Sequence, residues 1–285
     1  MSATAAAAAA ATAESIADLL SARYGAVDPP SPGPSNEVIR TLLNHRSVRS
    51  FLPDRPLPPG TLETLIAAAS SASTSSNLQT WSVVAVEDPE RKARLSVLAA
   101  NQKFIRDAPL LLVWIADLSR LERVGEARGQ EMEGLPYLEA FVLGVVDAAL
   151  AAQNAVTAAE SLGLGCVYIG AMRNKPAEVA AELKLPPNAM AVFGLSVGYP
   201  DPDVRTEVKP RLPLSLVLHR ETYGAPAEAE AIARYDAALA EFSRRNGMGD
   251  TAWTPRVLSR IGTLAGLSGR DKMREVLTAM GFGLR

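Results

Sequence analysis

The segment from about Leu138 to Leu162 constrains this chain most. Its apolar residues recur at helical spacing over its whole length, and Gly163, a residue suited to closing a helix, stops it. Alanine and glycine line much of that helix, and such small side chains let neighbouring elements approach closely. The rest of the fold therefore has to be laid against it. Around it the pattern predicts strands at Trp81 to Glu87, read as buried, at Leu110 to Asp117, at Gly165 to Ile169 and at Met190 to Gly198. Helices are predicted after Pro58-Pro59 through Ser70, from Asp88-Pro89 through Ala100, and from Pro176. This order of elements predicts an α+β protein with helices wrapped around a central sheet.

The ends of the chain differ in character. Residues 1–12 are alanine and threonine, and Ile16, Leu19 and Leu20 then predict a short helix between Glu14 and Tyr24. The prolines between Gly25 and Pro34 lock φ and remove donors, so this stretch reads as an extended connector. The main domain then begins near Ser35, with a helix over Asn36 to His45 that is capped by Ser35 or Asn36 and carries an apolar face of Val38, Ile39, Leu42 and Leu43. A proline-interrupted arm, Lys209 to His219, precedes a helix from Ala227 to about Phe242, a polar loop at Asn246 to Asp250 and two shorter helical patterns. Composition does not shift after Ser35. The division expected is an extension and linker over 1–34 and one domain over 35–285 with a helical excursion at its C-terminal end.

Charge and cysteine usage exclude several classes. With 29 basic and 31 acidic side chains the net charge is −2, too little positive field for a nucleic-acid partner. Cys166 is the single cysteine, so no internal disulfide forms, and with only His45 and His219 beside it no metal site is read. No Lys or Arg precedes Arg23, which removes the basic start of a secretory signal, and no stretch reaches about 20 uninterrupted apolar residues. A cytoplasmic protein is expected.

Four fragments carry residues suited to chemistry. His45-Arg46-Ser47-Val48-Arg49 sets two guanidiniums, an imidazole and a hydroxyl at a helix end, which suits either an anion clamp or a basic C-terminus answering the helix dipole. Because His45 and Ser47 are two apart on that helix, they face different ways and do not form a hydrolase pair. Ser73 to Trp81 is rich in hydroxyls; the alternation of Asn77, Gln79 and Trp81 is a strand period, while a solvated loop with a core tryptophan is the other reading. Gly163 to Arg173 ends a strand in small residues, which are turn punctuation or a place where a flat ligand can approach the backbone. It has neither the spacing of a dinucleotide fingerprint nor that of a phosphate loop. Finally, Lys209-Pro210-Arg211-Leu212-Pro213 holds two cations at i and i+2 on an extended segment, as a ligand arm or as edge-strand gatekeepers.

These fragments occur together and in order, and the chain resembles the FMN-dependent nitroreductase family, in its branch of oxygen-insensitive NADPH nitroreductases and NADPH:flavin oxidoreductases. The resemblance runs from about Ser35 to Trp253 and is best at His45 to Phe51, Ser73 to Trp81, Leu143 to Asn174 and Lys209 to Leu214. It implies a central mixed β-sheet wrapped by helices, in a homodimer interlocked through long helices with two FMN sites at the subunit interface. By the same resemblance, His45, Arg46, Ser47 and Arg49 hold FMN, Arg49 at the pyrimidine edge and His45 and Ser47 near phosphate and ribityl. Ser75, Ser76 and Asn77 match a loop that reaches the FMN of the partner subunit, with Gln79 beside them, and Gln102 matches a side chain that bonds the isoalloxazine. Tyr168, Ile169, Gly170 and Ala171 match the segment beneath the ring, and Lys209 and Arg211 match the phosphate-binding pair.

No side chain need act as a nucleophile in such a site; positioning does the work, and a cation near the pyrimidine edge stabilises the reduced flavin. The resemblance thus implies hydride transfer from NADPH through flavin N5 to nitroaromatic or quinone acceptors by a ping-pong cycle. A flavin reductase supplying reduced flavin, and a non-catalytic FMN-binding sensor or carrier, are the alternatives. Thr80 stands where many relatives have proline, and a basic loop that binds the NADPH 2′-phosphate in relatives is represented here by Arg244 and Arg245 alone, so NADPH is favoured and NADH remains possible. The acceptor pocket is expected to be formed by excursion loops at Ser119 to Pro136 and Arg244 to Trp253.

Overall fold

The computed structural model describes residues 15–25, 29–224 and 228–285. The alanine-rich start, residues 26–28 of the connector and the first residue of the helix expected from Ala227 lie outside them. In chain order the helices are α1 (Ile16–Tyr24), α2 (Glu37–Leu43), α3 (Thr61–Ser70), α4 (Pro89–Leu98), α5 (Lys103–Asp107), α6 (Ser119–Arg128), α7 (Leu138–Ser161), α8 (Pro176–Leu183), α9 (Glu228–Arg245), α10 (Trp253–Ile261) and α11 (Met273–Ala279). The strands are β1 (Trp81–Val86), β2 (Leu110–Asp117), β3 (Gly165–Ile169) and β4 (Ala189–Gly198). They fall into two compact units, one of Met1–Arg46 with Thr206–Ser259 and one of Ser47–Arg205 with Arg260–Arg285.

The second unit holds the sheet, in the order β1-β2-β4-β3 with every ladder antiparallel. Its parallel component is the single bridge of Ser47 to Cys166 on β3, while Phe51 bridges Pro200 in the antiparallel sense. Every residue of β2 is buried, as its unbroken apolar run requires of a central strand. β1 differs from its expected burial: it is an edge strand with β2 as its one ladder partner, and its first four residues are only half-buried.

Helix α7 lies over this sheet and beside α3. Gly144, Ala148, Ala151, Ala152, Ala155 and Ala159 face inward, and a Cβ at Gly144 would stand 3.1 Å from Ala116 Cβ, so glycine sets the approach. Among the described residues α7 is the one helix long and apolar enough to cross a membrane. Glu139, Asp147, Gln153 and Asn154 interrupt its apolar run. Its small-residue face is packed in the core and its Asp147 is buried, so it is the central helix of this unit. The opposite face leaves Leu138, Val142, Val146 and Leu150 exposed at successive i, i+4 positions. One further expectation changes: much of the excursion predicted at Ser119 to Pro136 is the helix α6.

In the first unit, α1 begins with a capping box in which the Ser15 hydroxyl accepts from the Asp18 N–H at 3.2 Å and the Asp18 carboxylate accepts from the Ser15 N–H at 3.0 Å. Asn36, one of the two expected caps, accepts from the Ile39 N–H at 3.0 Å and starts α2. The apolar face expected of α2 is not buried within the chain, since Val38 and Leu42 stay exposed. Tyr235, Leu239 and Phe242 of α9 form a core with Leu212 and Trp253.

Close approach also fixes the edge at β3. The Val48 N–H donates to the Cys166 carbonyl at 2.9 Å, and a Cβ at Gly165 would lie 2.7 Å from Val48 Cβ and Cγ2. Gly165→Ala is therefore expected to cost about 1–3 kcal/mol through overpacking, read as a lower urea midpoint with an unchanged slope.

Candidate functional site

Ser47 to Phe51 is laid along β3 by the bridge at Ser47 and by burial of Val48 and Phe51. Arg49 sits between those anchors and remains exposed to solvent. Its guanidinium has no ion-pair or hydrogen-bond partner among the described residues, and desolvation by the surrounding protein lowers its pKa below the ordinary arginine value. An arginine held in this way is a cation in search of an anion or a carbonyl.

Gln102 is the second group without a partner. Ala100 and Asn101 both take left-handed backbone conformations, at φ 63° and 55°, and turn the chain so that Gln102 stands at the start of α5. Its carbonyl accepts from the Ser96 hydroxyl at 2.9 Å, and that hydroxyl accepts from Arg106 at 2.9 Å. The side chain makes no cap bond, and its Oε1 is buried with no donor among the described residues. A buried acceptor left unpaired costs about 1–3 kcal/mol, so its retention points to a ligand donor.

At the end of β3, Tyr168 is partly exposed, rests edge-on against Phe193 with ring centroids 5.1 Å apart, and meets Gln153 Oε1 at 3.4 Å. Burial pushes its phenol pKa up. Ile169 and Ala171 are buried, and the chain from Gly170 to Asn174 is a short 3-10 turn. The Cys166 thiol in the same strand is buried and its pKa is raised by desolvation, which makes it inert as a nucleophile.

The loop from Ser73 to Trp81 corrects the expected alternation. Asn77 and Gln79 do not share a strand face with Trp81, because Ser76, Asn77 and Gln79 have φ of 49°, 56° and 52° and β1 begins only at Trp81. What organises the loop is Asp147 of α7, a residue the sequence reading passed over. Its Oδ2 accepts from the Thr74 hydroxyl at 2.6 Å, from the Thr80 N–H at 2.9 Å and from the Thr80 hydroxyl at 2.9 Å. Thr74 in turn accepts from the Gln79 N–H at 2.9 Å. Both loop ends are thus pinned, and Ser75, Ser76 and Asn77 are left exposed between them. A lone carboxylate inside an alanine-rich helix was the signal available. Thr80 is also explained: proline there would have neither of the two donors that reach Asp147.

In the first unit, His45 follows α2, and Arg46 donates through Nε to the Thr206 hydroxyl at 3.2 Å. The arm carrying Lys209 and Arg211 is fastened where the Tyr235 hydroxyl donates to the Pro210 carbonyl at 3.1 Å. Lys209 Nζ lies 5.8 Å from the Phe242 ring centroid. Arg244 pairs with Asp250 at 2.9 Å, and Arg245 pairs with Glu241 at 2.6 Å and Glu207 at 3.6 Å.

An antiparallel sheet under a long small-residue helix, with Arg49 and the unpaired Gln102 carbonyl in the same unit, defines an α+β protein. Comparison with known proteins narrows this. The model described as "Nitroreductase family" matches residues 42–102 and 96–199, and that described as "Nitroreductase family, C-terminal domain" matches 209–285. A Bacillus subtilis protein named FMN reductase (NADPH) is 40% identical over 229 residues, covering 79% of this chain and 91% of its own. The oxygen-insensitive NADPH nitroreductase of Salmonella typhimurium is 42% identical over 212 residues, 73% of this chain and 83% of its own. The solved NADPH:FMN oxidoreductase of Vibrio harveyi complexed with NAD+ superposes with a TM-score of 0.77 at 33% identity, covering 88% of this chain and all of that one. The chain belongs to the nitroreductase family.

Replacing Asp147 by alanine strands the buried Thr80 N–H. Asp147→Ala is expected to lower stability by on the order of 3 kcal/mol in urea unfolding, whereas Thr80→Ser, which keeps both donors, stays within about 1 kcal/mol of the parent.

Proposed function

We propose that the protein is an FMN-dependent oxidoreductase that takes hydride from NADPH and delivers it to nitroaromatic or quinone acceptors in a ping-pong cycle. Bound FMN supplies the hydride-accepting N5 that no amino-acid side chain can offer. Within the structure, two observations support this reading: Arg49 is an exposed guanidinium with no partner among the described residues, and Gln102 carries a buried amide carbonyl that lacks one too. A flavin presents the complement, carbonyl oxygens for the cation and a ring N–H for the acceptor.

The residues assigned to FMN are His45, Arg46, Ser47, Arg49, Gln102, Tyr168, Ile169, Gly170, Ala171, Lys209 and Arg211, with Ser75, Ser76, Asn77 and Gln79 reaching the cofactor of the partner subunit. Arg49 holds positive charge at the pyrimidine edge and so favours the reduced over the oxidised state. Lys209 and Arg211 neutralise the phosphate, with His45 and Ser47 near phosphate and ribityl. A homodimer is supported by the exposed ridge of Leu138, Val142, Val146 and Leu150 on α7, which a second copy would bury. We assign the enzyme to the cytoplasm on its lone, buried cysteine.

Arg244 and Arg245 are the cations proposed for the NADPH 2′-phosphate. Each already holds an ion pair at the surface, so binding the phosphate exchanges one exposed pair for another and the preference over NADH is modest. A second reading, a flavin reductase whose acceptor is free FMN, is favoured by the relative named FMN reductase.

The purified protein is expected to absorb as a flavoprotein between about 300 and 600 nm and to bleach under anaerobic NADPH faster than under NADH. Reoxidation by a nitroarene, compared with free FMN in kcat/KM, separates the two enzymatic readings, and absence of bleaching leaves only a carrier. Colourless protein that takes up no added FMN would overturn the proposal. Arg49→Ala is expected to lower the flavin midpoint potential by on the order of tens of millivolts, 30 mV being about 1.4 kcal/mol for a two-electron couple. Arg245→Ala is expected to raise KM for NADPH several-fold while leaving that for NADH unchanged.

A further inference from the structure

Helix α1 lies outside the stretches that match the nitroreductase models, which begin at residue 42. It nevertheless carries one of the few buried charges of the chain. Arg23, in its last turn, is 7% exposed. Its Nη1 donates to the Lys209 carbonyl at 3.0 Å, and its Nη2 donates to the carbonyls of Leu43 at 2.8 Å and His45 at 2.6 Å. The carbonyl of Arg23 itself accepts from the Arg211 N–H at 2.8 Å. One residue thus grips the backbone on both sides of the cations assigned to phosphate, at His45 beside Arg46 and at Lys209 and Arg211.

The helix is itself held in place. The capping box fixes its start, Leu19 is 1% exposed, and a Cβ at Gly25 would come within 3.4 Å of Ala238 Cβ on α9. The carbonyls of Leu43 and His45 belong to the C-terminal end of α2, the negative end of its dipole, and a buried guanidinium answers them there. Those carbonyls are also the groups that would repel a phosphate near His45 and Arg46. With Arg23 taking them as acceptors, the spacing of the two cationic segments is set by a rigid planar fork rather than by the 160 or so residues of chain between them.

We propose that Arg23 is a positioning residue for the FMN phosphate, and that helix α1 is a brace that sets the distance between the His45–Arg46 and Lys209–Arg211 segments. The inference rests on the FMN reading above. Arg23 acts through the backbones it ties together.

Riboflavin, which shares the ring and ribityl chain of FMN and lacks the phosphate, isolates this role. Apoprotein is titrated with FMN and with riboflavin, following quenching of flavin fluorescence. Arg23→Gln is expected to weaken FMN by about tenfold or more and to leave riboflavin within about twofold, so that the FMN-to-riboflavin affinity ratio falls. Arg23→Lys, which keeps the charge but not the fork, is expected to lie between the parent and Arg23→Gln, and it keeps the test alive if Arg23→Gln does not fold. A ratio unchanged in both variants, whether the two affinities hold or fall in parallel, overturns the positioning role and leaves Arg23 as a structural staple. Parent apoprotein that binds neither flavin instead removes the FMN reading, and this inference with it.

Discussion

The second unit depends on a carboxylate placed where the sequence is otherwise most apolar. Asp147 is buried with three donors converging on one of its oxygens, and a buried polar group left without them would be costly. Those donors come from Thr74 and Thr80, which bracket the exposed Ser75-Ser76-Asn77 turn. The alanine face of α7 makes the bond possible: with methyl groups and Gly144 against β2, the helix axis comes near enough to the sheet for a short side chain to reach the loop. Packing density and a polar network are here the same constraint.

Polar groups left over from such networks are what point to function. Among the described residues most buried donors and acceptors are answered internally; Gln102 Oε1, Trp114 Nε1 and Arg256 Nε are not, and the exposed Arg49 has no counter-ion. Membership of the nitroreductase family supplies a polar cofactor, FMN. Arg23 is the opposite case, a buried cation that donates to three backbone carbonyls.

Much of the fold was legible residue by residue. β2 and β3 occupy the segments their apolar runs predict, α7 closes where Gly163 follows, and Asn36 caps α2. The departures have a common cause. Asn77 and Gln79 alternate in sequence, yet their left-handed backbone is imposed by the pins at Thr74 and Thr80, which belong to a contact with a helix some seventy residues away. β1 carries the apolar content of a buried strand and becomes an edge because sheet order is a topological choice. The apolar side of α2 is real in the sequence and remains open in the chain, as does the Leu138 ridge of α7.

Periodicity, proline placement and capping residues therefore determined which segments are helices and strands and where they end, because those signals act through neighbours in the chain, within a turn or a pleat. The order of the strands, the burial of Asp147, the fork of Arg23 on three carbonyls and the orphaned carbonyl of Gln102 were decided only by the tertiary structure. The physical reason is that the free energy of a buried polar group depends on the partner that meets it through space, and the sequence around the group does not name that partner.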